Sequence, residues 1–320
     1  MNNIFNSQWF TSYERHSPRF VRTDVTPIEV DDFSCEEIKE IGGWFRVSGT
    51  ISSEYQPRVL TPYHGRSAVV RCEDGAFVSI KGVGWTWATP SIFRSPKDQQ
   101  LTFGLFAKKD ALHEIYISRL LNAIDGSFSR VLGGAHLSII EVEGNKFDVR
   151  DSSWSNGELI QPCLLYTRQL TPLRVIDLLF LSDNELKQAV IHACKAKDWP
   201  FDKYSLCFAK DLGRTVANLH RANGVNDTLE SGNVTLCAEI TDFEWIYLPS
   251  LHHPSDNNNR LNLNARRIKE LIYGLELITF LAVRLGSSGR DEQKAFFLSY
   301  TDFGGLAHDA IGHLQLPIFI

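Results

Sequence analysis

An amide and an acid at short spacing open the chemical reading of this chain. In residues 216–245, VANLHRANGVNDTLESGNVTLCAEITDFEW, an apolar helical run ends at Leu219-His220 and a loop rich in Asn, Gly, Asp and Ser leads to Asn233. A short β-type segment, 234–237, follows, and then Thr241-Asp242-Phe243. Asn233 and Asp242 thereby stand on the ends of a hairpin. A carboxamide oxygen and a carboxylate so placed can hold Mg²⁺ or Mn²⁺, hard cations that take oxygen ligands and keep the rest of their shell for phosphates. The alternative is conformational, because Asn, Asp and Gly populate turns for backbone reasons alone.

A second pair lies upstream. Lys81 closes the apolar run GAFVSIK and is followed by Gly-Val-Gly, while Glu114 sits in KKDALHEIYISRLLN, residues 108–122. In kinase-type sites a strand Lys and a helix Glu form an ion pair that holds the Lys against ATP phosphates, and a loop Asn and the Asp of an Asp-aromatic pair carry the metal. The competing reading is a surface Lys before a glycine turn and a solvated helical Glu.

Those four residues need elements to position them. Between residues 42 and 84 the runs WFRVSGTI, SAVVRC and GAFVSIKGVGWTW are rich in Val, Ile, Phe and Trp and punctuated by Gly and Asp, the signature of strands. Glu73-Asp74-Gly75 reads as a tight hairpin, since Asp-Gly supplies positive-φ positions. Leu112, Ile115, Ile117, Leu120 and Leu121 fall at helical spacing within 108–122. RVLGGAHLSIIEVE, KFDVRD and CLLYTR read as further strands, with a turn at Gly144-Asn145. The chain then turns helical: 184–197 behind a Ser182-Asp183 cap, 208–221, and 266–285. The Asn-rich loop HHPSDNNNRLNLN precedes the last of these and reads as mobile and solvent-facing. Sheet first and helices afterwards predict a bilobal α+β protein with a cleft between its lobes. The expected division is an N-terminal extension, 1–40, a β-rich N-lobe with the Glu114 helix, 41–168, and a helical C-lobe carrying the metal-binding hairpin, 169–320.

Composition narrows the partners. A chain of 320 residues with 43% hydrophobic and 22% charged residues is long enough for a bilobal domain, and its net charge of −5 carries no basic footprint for nucleic acid. The most apolar stretch, 271–285, contains Glu276 and Arg284 and reads as a buried helix, so no membrane partner is expected. The first twenty residues lack the layout of a Sec signal, which predicts a cytoplasmic protein or one exported by a non-Sec route. Six cysteines without Cys-x-x-Cys pairs read as reduced buried thiols. His252-His253 reads as loop, and His308 and His313, spaced five apart, lack the i,i+4 geometry of a helical zinc pair.

KGVGWT, ALHEIYISRLLNAIDGSFSRVLG, LLYTRQLTPLR and NVTLCAEITDF together resemble the selenoprotein O family, kinase-like enzymes that transfer AMP to protein hydroxyls. The resemblance covers residues 63–245, a little over half the chain. The family's Lys-Gly-x-Gly-x-Thr motif corresponds to Lys81, Gly82, Gly84 and Thr86, its helix motif to Glu114, Ser118 and Arg130, and its Asp-Gly-Arg to His64-Gly65-Arg66. A second Asp-Gly falls at Phe103-Gly104, keeping the glycine and losing the acid. Thr167-Arg168 and Arg174 approximate a further arginine motif, and Asn233 to Phe243 keep the Asn-to-Asp spacing. The resemblance implies that Lys81, Glu114, Asn233 and Asp242 are catalytic and that Asn233 and Asp242 ligate the metal. It also implies that Gly65, Arg66, Lys81, Gly82, Gly104, Arg168 and Arg174 line an inverted ATP, with the two last arginines on the outer phosphates. The implied reaction is AMP transfer from Mg-ATP to a hydroxyl of a protein or small molecule, with pyrophosphate released.

Departures from the family pattern keep two alternatives open, a phosphotransferase and a nucleotide-binding pseudokinase. Gly232 occupies the family's proposed base position, and Thr228 the place five residues before Asn233 where ordinary kinases carry their catalytic Asp. Asp227 or Glu230 are the nearby acids that could substitute, and an acceptor that needs no base, a carboxylate or a phosphate, is the other resolution. Glu244 replaces the Gly after Asp-aromatic, and no Cys follows Cys237, so the family's C-terminal redox residue has no counterpart.

Overall fold

The computed structural model describes residues 25–28, 59–60, 67–72, 75–82, 106–137, 139–142, 145–148, 162–249 and 263–305. It divides into two compact units, one formed by residues 1–118 and 129–189, the other by 119–128 and 190–320. The chain crosses between them at 118/119, 128/129 and 189/190, the first and last of these inside helices and the last beyond the 168/169 division expected from sequence. Residues 64–66, 83–104, 252–253, 308 and 313 lie outside the described residues, and with them Gly65, Arg66, Gly104, the paired histidines and most of the Asn-rich loop.

The first unit is a seven-stranded sheet with one long helix. In chain order its strands are β1 (Val25–Ile28), β2 (Val59–Leu60), β3 (Ser67–Arg71), β4 (Phe77–Lys81) and β5 (Phe106–Ala107); helix α1 (Lys108–Leu121) follows. Then come β6 (Arg130–Leu137), a separate hairpin of β7 (Ile139–Val142) and β8 (Asn145–Asp148), and β9 (Pro162–Gln169). The strand order is β1-β6-β9-β4-β3-β2, with β5 also on β9 and each of these pairs antiparallel. Residues 25–28, inside the expected extension, thus belong to the sheet. The β3–β4 turn forms as the Asp-Gly signal requires: Gly75 takes φ +85°, and Cys72 and Ala76 close the hairpin with a 2.8 Å main-chain bond. Every residue of β4 is buried, the polar Ser79 and Lys81 included, so neither face of this strand meets solvent.

After β9 a 3₁₀ turn, Val175–Leu179, leads to α2 (Asp183–Lys197). The cap read at Ser182 is a reciprocal capping box: Ser182 Oγ accepts from Glu185 N at 3.4 Å, and Glu185 Oε2 accepts from Ser182 N at 2.8 Å.

The second unit is built on α3 (Tyr204–Arg221), β10 (Val225–Asn226), β11 (Ile246–Tyr247), α4 (Leu263–Arg284) and α5 (Arg290–Asp302). Helix α3 starts four residues before its expected N-terminus and buries Phe208, Leu212, Val216 and Leu219 along one face. It packs tightly on α5 because Gly213 has no side chain; a Cβ there would stand 2.4 Å from the Phe296 carbonyl. With the sheet first, the helices afterwards, and a helix Glu paired to a strand Lys, the fold is α+β and kinase-like. Among the described residues no helix is long and apolar enough to cross a membrane.

Candidate functional site

The expected residues divide between the units: Lys81, Gly82, Glu114, Arg168 and Arg174 belong to the first, Asn233 and Asp242 to the second. In the first, Lys81 at the end of β4 donates from Nζ to Glu114 Oε1 at 2.6 Å, with the two side chains only 9% and 2% exposed. The Lys81 ammonium also lies 4.4 Å from the centre of the Phe106 ring. A lysine this buried is tolerable because a carboxylate and an aromatic face replace its water. The solvated reading of both residues is thereby excluded.

Gly82 follows at φ +92°, and a Cβ there would meet the Cys163 carbonyl at 2.4 Å and Phe106 Cβ at 2.8 Å. The glycine lets the chain turn off β4 against β9 and β5. Ser118 anchors the other end of α1 by accepting from Val131 N at 3.1 Å.

The two arginines part company. Register pairs Lys81 with Leu165, Ser79 with Thr167, and Val78 with Arg168. Side chains alternate faces along a strand, so Arg168 lies on the sheet face opposite Lys81, where it is exposed. Its cross-strand neighbour is Arg130, also exposed. Arg174 is buried, and its main-chain N–H donates to Asp177 Oδ2 at 2.7 Å at the head of the 3₁₀ turn.

In the second unit the hairpin forms around Asn233. Its backbone carbonyl accepts from Thr241 N at 2.9 Å, and Val234 and Ile240 bridge, which sets Asn233 beside the residue preceding Asp242. Asn233 Nδ2 donates to the Thr228 carbonyl at 2.9 Å, which leaves its Oδ1 as the amide atom for a ligand. Asp242 takes φ +65°, a left-handed conformation uncommon outside glycine, and Phe243 behind it is fully buried. One amide oxygen and one carboxylate fit Mg²⁺ or Mn²⁺ completed by phosphate and water oxygens. Among the described residues there is no group of three or more His, Cys, Asp and Glu side chains able to hold a metal.

Sequence reasoning missed what surrounds the loop. Asn226 Oδ1 accepts from Thr228 N at 3.0 Å and from Thr228 Oγ1 at 3.2 Å. Asp227 is gripped by the Arg266 guanidinium through two bonds, Nε to Oδ1 at 2.9 Å and Nη2 to Oδ2, and Arg266 lies 4.8 Å from the Tyr247 ring centre. Below it, buried His220 bridges Tyr300 Oη and Glu270 Oε2, both at 2.8 Å, and the same carboxylate oxygen accepts from Asn226 N at 3.0 Å. Helices α3, α4 and α5 thus hold the start of the loop through one polar cluster. No spacing rule could have found the partners of Asp227, His220 and Glu270, which lie 39 to 80 residues apart.

No family model matches the chain, and no curated protein matches it in sequence. Among solved structures it is similar to a Stt7 homolog from Micromonas algae soaked with ATP, at 14% identity and a TM-score of 0.40 over 81% of this chain and 78% of that one. It is also similar to a Toxoplasma gondii specific rhoptry antigen kinase domain, at 14% identity and a TM-score of 0.37 over 71% of this chain and 65% of that one.

Proposed function

We propose that the chain is a kinase-like transferase that binds ATP and moves a group from it to an acceptor oxygen. The observation that carries this reading is the buried Lys81–Glu114 pair, because a lysine held in place against water by a helix carboxylate is the arrangement that grips nucleotide phosphates. Asn233 and Asp242 would hold Mg²⁺ or Mn²⁺. When bound, the ion neutralises charge growing on the phosphate leaving group. Gly82 gives the backbone its turn beside Lys81, and Arg174 is the guanidinium kept in the reading; Gly65, Arg66 and Gly104 enter it through the selenoprotein O resemblance alone.

AMP transfer with pyrophosphate release is the finer reading, and it rests on that resemblance. The exposed place of Arg168, on the face opposite Lys81, removes one of the two groups meant to grip the outer phosphates, and it favours phosphoryl transfer as the second reading. ATP labelled at the α- or the γ-phosphate separates them. Label reaching an acceptor from the α-position with pyrophosphate accumulating supports AMP transfer; label only from the γ-position with ADP accumulating replaces it by phosphoryl transfer. Thermal stabilisation by Mg-ATP without any product sensitive to Asp242→Ala reduces the chain to a nucleotide-binding domain, and no stabilisation at all overturns the proposal.

A further inference from the structure

The loop that precedes Asn233 carries no carboxylate set to take a proton. Thr228 occupies the place five residues before Asn233, and its hydroxyl and main-chain N–H both donate to Asn226 Oδ1, at 3.2 and 3.0 Å. The adjacent acid, Asp227, has both carboxylate oxygens engaged by Arg266, a planar two-point grip that fixes its direction. Glu230, the remaining acid of the loop, is exposed, and only its main chain is tied in, donating to the Thr228 carbonyl at 2.7 Å. Gly232, next to Asn233, has open space where a Cβ would stand. Among the described residues, this loop thus holds no carboxylate fixed in position to receive a proton from a neutral hydroxyl acceptor.

We infer that the acceptor is an oxyanion, a carboxylate or phosphate that is already deprotonated at neutral pH. This rests on the ATP-dependent transfer proposed above and deepens it. In the step, a lone pair of the anionic oxygen forms the new O–P bond while the bond to the leaving phosphate breaks. The electron pair departs with pyrophosphate if AMP is transferred, or with ADP if the γ-phosphoryl group is. No proton leaves the acceptor, so none has to be received. The products are a mixed acyl-phosphate anhydride from a carboxylate and a phosphoanhydride from a phosphate.

The test compares wild type, Thr228→Asp and Glu230→Gln, each given Mg-ATP with four probes: acetate, inorganic phosphate, N-acetylserinamide and water. Hydroxylamine added at the end converts an acyl-phosphate to a hydroxamate and leaves a phosphoanhydride or a serine ester intact, so it tells the two anion sources apart. The expected result is that wild type reacts with acetate or phosphate and not with the hydroxyl probe. Thr228→Asp should raise reaction with N-acetylserinamide and water by about 10²–10⁴-fold, the usual contribution of a general base. Glu230→Gln should leave the anion reaction unchanged. Efficient wild-type transfer to N-acetylserinamide overturns the inference, as does a tenfold or greater loss in Glu230→Gln, which would name Glu230 as the base. It is equally overturned if none of the probes reacts with a wild-type protein that Mg-ATP stabilises, a result that leaves nucleotide binding standing. Absence of that stabilisation removes the transferase reading itself.

Discussion

Replacing Glu114 with Gln isolates the energetic role of the Lys81 pair. Gln keeps the volume and one carbonyl oxygen, so packing in α1 is retained while the charge opposite Lys81 is lost. Both side chains are nearly inaccessible, at 9% and 2%, so the ammonium left behind cannot recover its hydration. Removing one partner of a buried ion pair costs about 3–5 kcal/mol. The Phe106 face at 4.4 Å and the Gln carbonyl both offset part of that, which places the expectation near the lower end, at about 3 kcal/mol. For a domain of this order that corresponds to a fall in Tm of roughly 6–12 °C. The double variant Lys81→Met/Glu114→Leu replaces the pair by apolar groups of similar size and should recover most of the loss, since well-packed hydrophobic residues commonly match a buried pair. Nucleotide-dependent activity should be absent from both variants. Thermal unfolding followed by circular dichroism, with and without Mg-ATP, reads both effects. A Glu114→Gln protein as stable as wild type, or a double variant less stable than the single one, would refute the reasoning that the pair is buried and mutually dependent.

Two glycines with nearly equal backbone angles should respond differently to alanine. Gly75→Ala, at φ +85° with open space around it, should cost only the about 1–2 kcal/mol of a left-handed residue, while Gly82→Ala, at φ +92° against the Cys163 carbonyl, adds a steric clash and should lose soluble folded protein or a much larger share of Tm. In the buried cluster, Tyr300→Phe removes one partner of His220 and should cost about 1–3 kcal/mol in urea unfolding, whereas Glu270→Leu strands both His220 Nε2 and Asn226 N–H and should cost about twice that; equal losses would show that the cluster does not act through Glu270. Burial pushes the Cys163 thiol up to about 12 and also raises those of Cys194 and Cys237. At pH 8 in the native state iodoacetamide should label part-exposed Cys72 and Cys207 ahead of these three, as read by peptide mass mapping. Because folding opposes ionisation of Cys163, the stability present below the free-thiol range is lost as pH rises from that range toward about 12, and labelling of Cys163 should keep climbing across the same interval instead of levelling off.

Short-range pattern was enough to read much of this protein. The 3.6-residue spacing of 108–122 fixed α1 to within one residue, the Ser182-Asp183 signal placed a helix cap, and Asp-Gly located the β3–β4 turn, because each is decided by neighbours a few positions away. The pairing of Glu114 with Lys81 was named only through the family resemblance, since the residues by themselves read equally as a surface lysine and a solvated helical acid, and burial of both side chains decides it. Tertiary structure alone decided the rest. Arg168 and Lys81 look equivalent in a list of cationic residues, yet the register of β9 on β4 and the period of two send them to opposite faces. Likewise Asp227 was available as a base in the sequence and is engaged in the fold, because Arg266 reaches it from a helix 39 residues away. Contacts of that separation are set by how helices and sheets pack, which leaves no local trace in the chain for a reader to find.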